Sequence, residues 1–268
     1  MSGPRPLLLL AALCAATSYA SAQYTDEVNS LTDKAAALHS MSGLPRVLYI
    51  GDSHSVGPFG HELDSILRAS YPTWKIETYA SCGSSPNWFL PGNAASGHTS
   101  PCGTWFHRYN PQDPSKLESL TAAAPTPLIG TLLASHPDTV IVALGANMAD
   151  WTKGGLIGIG TARTLSDAIV ASGASCIWVG PPDEAGHMPR DAAKAQVKRL
   201  NDALKAALGS TCRFVESHTN YDPAWPDPMK LHYPAPQAKA WAQQVAPSVR
   251  AGLGVGGIPA APVPVPAP

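Results

Sequence analysis

Four short segments of the sequence contain residues that could together carry out one type of chemistry. Ser53 follows the apolar run "RVLYIGD", Gly83 follows "KIETYAS", and Asn147 follows "TVIVALGA". His232 lies late in the chain, in "DPMKLHYP". Acyl transfer needs a nucleophilic hydroxyl, a base that takes its proton, and hydrogen-bond donors for the developing oxyanion. The sequence therefore supplies the groups for such a reaction, provided that the fold brings the four segments together.

The elements that would position these residues follow from two alternating patterns. Apolar runs typical of buried strands occur at 46–52, 75–81, 139–145, 176–182 and 213–217. Between them, apolar residues recur at helical spacing at 60–70, 127–136, 161–173 and 190–209. This alternation predicts an α/β protein, a three-layer α/β/α sandwich around a central, mainly parallel five-stranded sheet.

In a sheet of this kind, ligand sites form at the carboxyl ends of the strands. Ser53, Gly83 and Asn147 each come directly after a predicted strand. The predicted fold alone would therefore bring these three distant residues to one edge of the sheet. Each also has an ordinary structural alternative, because serine caps helices, glycine forms turns, and asparagine does both.

Taken in order, these segments resemble the conserved blocks of the SGNH/GDSL hydrolases. Ser53 in "GDSHS" matches the first block, Gly83 in "SCGSS" the second, Asn147 in "GAN" the third, and His232 the last. The resemblance covers roughly residues 44–250 and implies a flavodoxin-like fold. It also implies that Ser53 attacks an ester carbonyl while His232 removes its proton. The backbone N–H groups of Ser53 and Gly83, with the Asn147 side-chain amide, would form the oxyanion hole.

The acid that should orient the catalytic histidine departs from the family pattern. The family places an aspartate three residues before the histidine, where this chain has Met229. Asp227, five residues before His232, is the predicted orienting acid. A backbone carbonyl or Asp222 is the alternative, and His218 is the alternative base.

Three further side chains are candidates for contact with the substrate. His54 makes the first block "GDSH" rather than "GDSL", which resembles SGNH domains that process O-acyl groups on bacterial cell-surface polysaccharides. It is either part of the acyl or sugar subsite or an exposed loop histidine. Trp88 and Trp105 lie in the aperiodic segment 84–127, which is predicted to be a long loop. Their rings would either stack on a sugar or form a small core under that loop.

The cysteines and the first residues predict an exported protein. Residues 1–22 contain one arginine, an apolar stretch and an Ala-Ser-Ala ending, which is typical of a secretory signal peptide. The remaining four cysteines suit an oxidising compartment. Proximity in sequence favours the disulfides Cys82–Cys102 and Cys176–Cys212 among three possible connectivities. We therefore expect a secreted or periplasmic location.

Composition sets the predicted domain organisation and excludes several partners. Residues 23–43 are predicted to form a helix and connector, 44–251 the hydrolase domain, and 252–268 a disordered tail rich in Pro, Ala and Gly. The net charge is -1 and no basic run occurs, so nucleic acid is not an expected partner. No integral membrane segment is expected after signal removal. No cysteine has the close spacing of a zinc ligand pair, and we expect neither a metal nor an organic cofactor.

The predicted function is a secreted serine esterase that hydrolyses short-chain esters, acetate on a carbohydrate in particular, through an acyl-enzyme on Ser53. The substrate would be a small acyl ester or an acylated glycan. One alternative is a polysaccharide O-acyltransferase, in which a sugar hydroxyl replaces water and the same residues serve. A second alternative is a catalytically inactive SGNH protein that binds glycan, which the irregular spacing of Asp227 and His232 favours.

Overall fold

The computed structural model describes six ranges of the chain: 43–92, 96–100, 102–109, 116–184, 186–217 and 231–253. The predicted signal peptide and the predicted helix that follows it lie outside these ranges. Asp227, with its alternative Asp222, and the alternative base His218 also lie outside them. The last helix extends to Leu253, so it includes the first two residues of the predicted tail.

A seven-stranded sheet forms the centre of the fold, in the order β4-β3-β2-β1-β5-β6-β7. The strands are β1 Arg46–Gly51, β2 Lys75–Ser81, β3 Thr104–Tyr109, β4 Leu117–Ala122, β5 Thr139–Ala143, β6 Ser175–Val179 and β7 Arg213–Val215. The strands β2, β1, β5, β6 and β7 are mutually parallel, whereas β3 and β4 pair antiparallel at one edge. The order places β1 between β2 and β5, so the ends of these three strands are neighbours.

Helices cover both faces of this sheet. They are α1 Ser53–Val56, α2 Pro58–Ser70, α3 Pro86–Phe89, α4 Ile129–Leu133, α5 Ile159–Ala171, α6 Arg190–Leu208 and α7 Ala235–Leu253. Successive side chains of a strand point to opposite faces. On β1, Val47 and Tyr49 accordingly pack with α2 and α7, while Leu48 and Ile50 pack with α4, α5 and α6. The predicted three-layer α/β/α class is thereby confirmed.

The number of strands differs from the prediction of five. The five parallel strands lie where the apolar runs predict them, but β3 and β4 fall within the segment 84–127 that is predicted to be a loop. The strand pattern is hard to recognise in these sequences, because the second half of β3 is only partly buried and includes the polar residues His107 and Arg108. His107 of β3 forms a hydrogen bond through Nδ1 to Asp64 Oδ2 at 2.6 Å. β4 is an edge strand whose residues are mostly exposed, so it shows no apolar alternation either.

Two disulfides connect neighbouring strands. Cys82–Cys102 joins the end of β2 to the residues before β3, with Cα atoms 5.6 Å apart. Cys176–Cys212 joins the start of β6 to the residue before β7, with Cα atoms 4.5 Å apart. These are the pairings that proximity in sequence favours. Among the helices in the described ranges, none is both long and apolar enough to cross a membrane.

Candidate active site

Ser53 is the first residue of α1, which begins directly after β1. The Asp52 carboxylate caps this short helix by accepting a hydrogen bond from the His54 backbone N–H at 3.0 Å. The turn is tightly packed because a Cβ on Gly51 would lie only 2.0 Å from Ser55 Oγ. The Ser55 hydroxyl is in turn hydrogen-bonded to the Tyr49 hydroxyl at 2.7 Å. The end of β1 and the start of α1 therefore hold Ser53 in a defined position.

His232 lies beside Ser53 although the two residues are 179 positions apart. Its Nε2 atom is 2.9 Å from Ser53 Oγ, within hydrogen-bond distance. The histidine is exposed and lies a few residues before α7. The next residue, Tyr233, is buried and donates its hydroxyl proton to the Asp183 carbonyl oxygen. The segment that carries His232 is therefore attached to the residues that follow β6.

The turns after β2 and β5 are hydrogen-bonded to each other and to β1. Gly83, after β2, has a φ of +82°, a left-handed conformation that favours glycine. Asn147, in the turn Ala146–Met148 after β5, donates from Nδ2 to the Ser84 carbonyl oxygen at 2.9 Å. Ser84 donates its hydroxyl to the Gly51 carbonyl oxygen at 3.2 Å. The three predicted strand-end segments therefore meet at one edge of the sheet.

His54 occupies a different environment from the predicted substrate subsite. Its ring is buried and its Nε2 atom lies 2.7 Å from Glu184 Oε1. The ring also lies against His232, with centroids 5.2 Å apart, and against Trp241. Direct substrate contact by His54 is not supported, because the residue is only 7% exposed and its ring is already hydrogen-bonded to a protein carboxylate.

Glu184 is the residue near the site that the sequence analysis missed. It is 2% exposed and lies in "GPPDEAG", which follows β6. A carboxylate in a proline-rich segment at the carboxyl end of a parallel strand is the signal that could have indicated it. Its partner is 130 positions away in sequence, so the pairing itself has no local signature.

The two tryptophans predicted to contact the substrate have different positions. Trp105 is 2% exposed, stacks on His61 at a centroid distance of 3.9 Å, and donates its Nε1–H to Ser119 Oγ. A substrate ring cannot stack on it, because His61 of α2 and Ser119 of β4 already contact it, and this prediction is corrected. Trp88 is half-buried, and its ring lies 3.8 Å from where a Cβ on Gly83 would be. It also packs against His98. Because part of Trp88 is exposed and it lies beside Gly83, it remains a candidate substrate contact.

Asp52 is a second buried carboxylate close to the nucleophile. Burial raises its pKa to about 6, while the neighbouring His54 acts in the opposite direction. Glu184 raises this pKa further through its negative charge. Asp52 therefore takes up a proton in mildly acidic solution, although an exposed aspartate would not.

The raised pKa of Asp52 predicts a measurable effect of pH on stability. Between the ordinary pKa of 3.8 and the folded value of about 6, the folded protein binds a proton that the unfolded chain has released. This carboxyl group therefore lowers the free energy of unfolding as the pH rises through that window. Asp52→Asn keeps an oxygen for the His54 N–H but does not titrate. We expect its free energy of unfolding, relative to the wild type, to rise by about 2 kcal/mol between about pH 4 and pH 8.

Urea denaturation at several pH values measures this difference, and Asp64→Asn is the matched control. Burial alone would raise the pKa of Asp64, but hydrogen bonds from His107 and Arg68 outweigh it and lower the pKa. The contribution of Asp64 is therefore lost only in more acidic solution, as the pH falls through its folded pKa. The Asp64→Asn difference should change little above about pH 5. An equally flat difference for Asp52→Asn would contradict the prediction.

Metal ligands are not grouped in the part of the chain that the structure describes. In those ranges, no three His, Cys, Asp or Glu side chains lie together as a metal site requires. The polar groups around Ser53 are instead two imidazoles, of His232 and His54, and two buried carboxylates, of Asp52 and Glu184. These groups can accept and return protons and can stabilise a positively charged imidazole.

No family model matches the sequence, and a search of curated proteins found no match. Several solved structures are remotely similar to this chain. A catalytic mutant of an acetylxylan esterase from Geobacillus stearothermophilus is 15% identical, covering 78% of this chain and 94% of that chain, with a TM-score of 0.49. A psychrotrophic esterase from Pseudoalteromonas sp. is 12% identical, covering 78% and 98%, with a TM-score of 0.47. A lipase/acylhydrolase from Enterococcus faecalis is 14% identical, covering 78% and 96%, with a TM-score of 0.43.

Proposed function

We propose that the protein is a serine esterase of the SGNH type that cleaves short-chain esters through an acyl-enzyme on Ser53. The observation that carries the proposal is the 2.9 Å distance between His232 Nε2 and Ser53 Oγ. A serine hydroxyl is a weak nucleophile at neutral pH and needs an adjacent base. An imidazole within hydrogen-bond reach of that hydroxyl is the base that such enzymes use.

The proposed reaction has two steps. Ser53 Oγ attacks the ester carbonyl carbon while His232 Nε2 takes the hydroxyl proton. The tetrahedral intermediate then expels the alcohol, which receives this proton from His232, and the acyl group remains on Ser53. Water attacks the acyl-enzyme as His232 takes one of its protons. Collapse of the second intermediate releases the acid and returns the proton to Ser53 Oγ.

The proposed oxyanion hole consists of the backbone N–H groups of Ser53 and Gly83 and the side-chain amide of Asn147. Two features support it. The left-handed backbone at Gly83 comes directly after β2, and the hydrogen bond to the Ser84 carbonyl oxygen fixes the Asn147 amide. An amide nitrogen has two hydrogens, so a second donor is available for the oxyanion. One such donor is worth about 3 kcal/mol of the barrier.

Asp227 remains the proposed orienting acid for His232, on the basis of its position in the sequence alone.

Acetate on a carbohydrate remains the proposed substrate. Trp88, half-buried beside Gly83, supports it because an aromatic face suits a sugar ring. The exposure of His232 favours hydrolysis over transfer to a sugar, because water can reach the acyl-enzyme.

An extracytoplasmic location is also part of the proposal. Two disulfides within the described residues support it, because disulfides persist in oxidising compartments. The proposed export signal is the segment 1–22. Amino-terminal sequencing of protein recovered from the medium or periplasm tests this, and the proposal gives Gln23 as the first residue.

Reaction with a fluorophosphonate probe, followed by peptide mapping, tests the proposed function. We expect one covalent adduct, on Ser53. Ser55, two residues away, is the internal control, because its hydroxyl is buried and hydrogen-bonded to Tyr49. Absence of labelling in the folded protein, or labelling at another serine, would contradict the esterase proposal. Absence of labelling together with retained glycan binding would favour the inactive binding protein.

A further inference from the structure

A buried pair of His54 and Glu184 lies directly beside the proposed catalytic base. Side-chain exposure is 6% for His54 and 0% for Glu184, and the two side chains are 2.7 Å apart. Removing a carboxylate and an imidazole from water is unfavourable unless they are well matched. Burial of this pair is therefore not explained by the stability of the hydrophobic core, and a role in the neighbouring site is the alternative.

The His54 ring lies between two other rings. One neighbour is His232, with centroids 5.2 Å apart and ring planes at 55°. The other is Trp241, at 5.3 Å with the planes nearly perpendicular. Trp241 is itself fixed, because it stacks on Phe59 at 3.6 Å and donates its Nε1–H to Ser217 Oγ at 3.0 Å. His54 therefore lies between the buried Trp241 and the exposed His232 ring.

Two residues that follow β6 restrain His232, one through its ring and one through the neighbouring backbone. Glu184 holds His54, which packs against the His232 ring. The adjacent Asp183 accepts the hydrogen bond from Tyr233, which is the next residue after His232. One short segment thus fixes the position of the histidine backbone through one contact and of its ring through another.

We infer that His54 and Glu184 are positioning residues for the base His232. His232 is exposed and lies outside regular structure, so each contact that restricts its ring lowers the entropy cost of holding the ring in one orientation during catalysis. Packing against His54, which Glu184 holds in place, keeps Nε2 directed at Ser53 Oγ. This inference rests on the proposed function and adds two residues to it. Both side chains are buried, so we expect them to affect the rate of the chemical steps and not substrate binding.

Variants at both positions test the inference through kcat and KM for a chromogenic acetate ester. Glu184→Leu removes the acceptor, whereas Glu184→Gln keeps an oxygen for the His54 ring. We expect Glu184→Leu to lower kcat on the order of 10- to 100-fold with KM nearly unchanged, because misplacement of a catalytic group costs about this much. Glu184→Gln should retain most of the activity. Labelling of Ser53 by the fluorophosphonate should slow in parallel with kcat.

His54→Gln is a second variant that keeps the test decisive if Glu184→Leu does not fold. Its amide can still bond to Glu184, but no ring lies beside His232. We expect a similar loss of kcat at constant KM. The double variant His54→Gln/Glu184→Leu should lose no more than the larger single loss, because the two residues act as one unit.

The matched control is the pair of His107 and Asp64, a second histidine and carboxylate at 2.6 Å that lies between β3 and α2. His107→Gln should lower stability but leave kcat unchanged. A loss of kcat in Glu184→Leu or His54→Gln no larger than in His107→Gln would overturn the inference, as would a rise in KM alone. Turnover and Ser53 labelling by the wild type report separately on the proposed function. If both are absent, that function fails and the inference fails with it.

Discussion

Replacing Ser53 by alanine is expected to lower kcat/KM for a chromogenic acetate ester by at least about 10⁴-fold, without unfolding the protein. The reaction loses its only proposed nucleophile. The fold loses little, because Ser53 is half-buried and its hydroxyl bonds to an exposed histidine. Alanine also suits the first turn of a helix. Steady-state kinetics and thermal denaturation of the variant measure the two effects separately.

Ser55→Ala is the matched control for this prediction. Ser55 lies in the same short helix but is buried, and its hydroxyl is bonded to that of Tyr49. Its loss leaves a buried hydroxyl without this partner, which costs about 1–3 kcal/mol of stability. We therefore expect lower stability and nearly normal activity in the folded Ser55→Ala protein. Undiminished turnover by Ser53→Ala would remove the esterase proposal.

Replacing His232 by glutamine is expected to cause the second-largest loss, on the order of 10³- to 10⁴-fold in kcat/KM. Glutamine can still hydrogen-bond to Ser53, but it cannot take and return the proton of the hydroxyl. The histidine is exposed, so its replacement should not disturb the core. Kinetics over a range of pH would measure the loss.

The double variant Ser53→Ala/His232→Gln sharpens this test. Because the two residues are proposed to act as one unit, the loss of activity in the double variant should equal that of the less active single variant and should not exceed it. An exposed histidine at the opposite edge of the sheet, His136, which lies just before β5, is the control, and His136→Gln should keep full activity. Additive losses in the double variant would mean that the two residues contribute independently.

Local patterns predicted the main layers of the fold correctly, because buried parallel strands and amphipathic helices have distinct periodicities. The same reasoning failed for β3 and β4. On β3, His107 is only partly buried and is hydrogen-bonded to Asp64, so a polar residue stands where the pattern expects an apolar one. Edge strand β4 is exposed and needs no apolar alternation. Both strands were therefore predicted as part of a loop.

The sequence by itself determined which residues follow the strands and therefore which segments meet at one edge of the sheet. Ser53, Gly83 and Asn147 could be placed there because strand ends are local features. Only the tertiary structure decided that His54 is buried against Glu184 and that Trp105 stacks on His61. The physical reason is that the environment of a side chain depends on which distant elements pack against it. No short-range spacing records that choice.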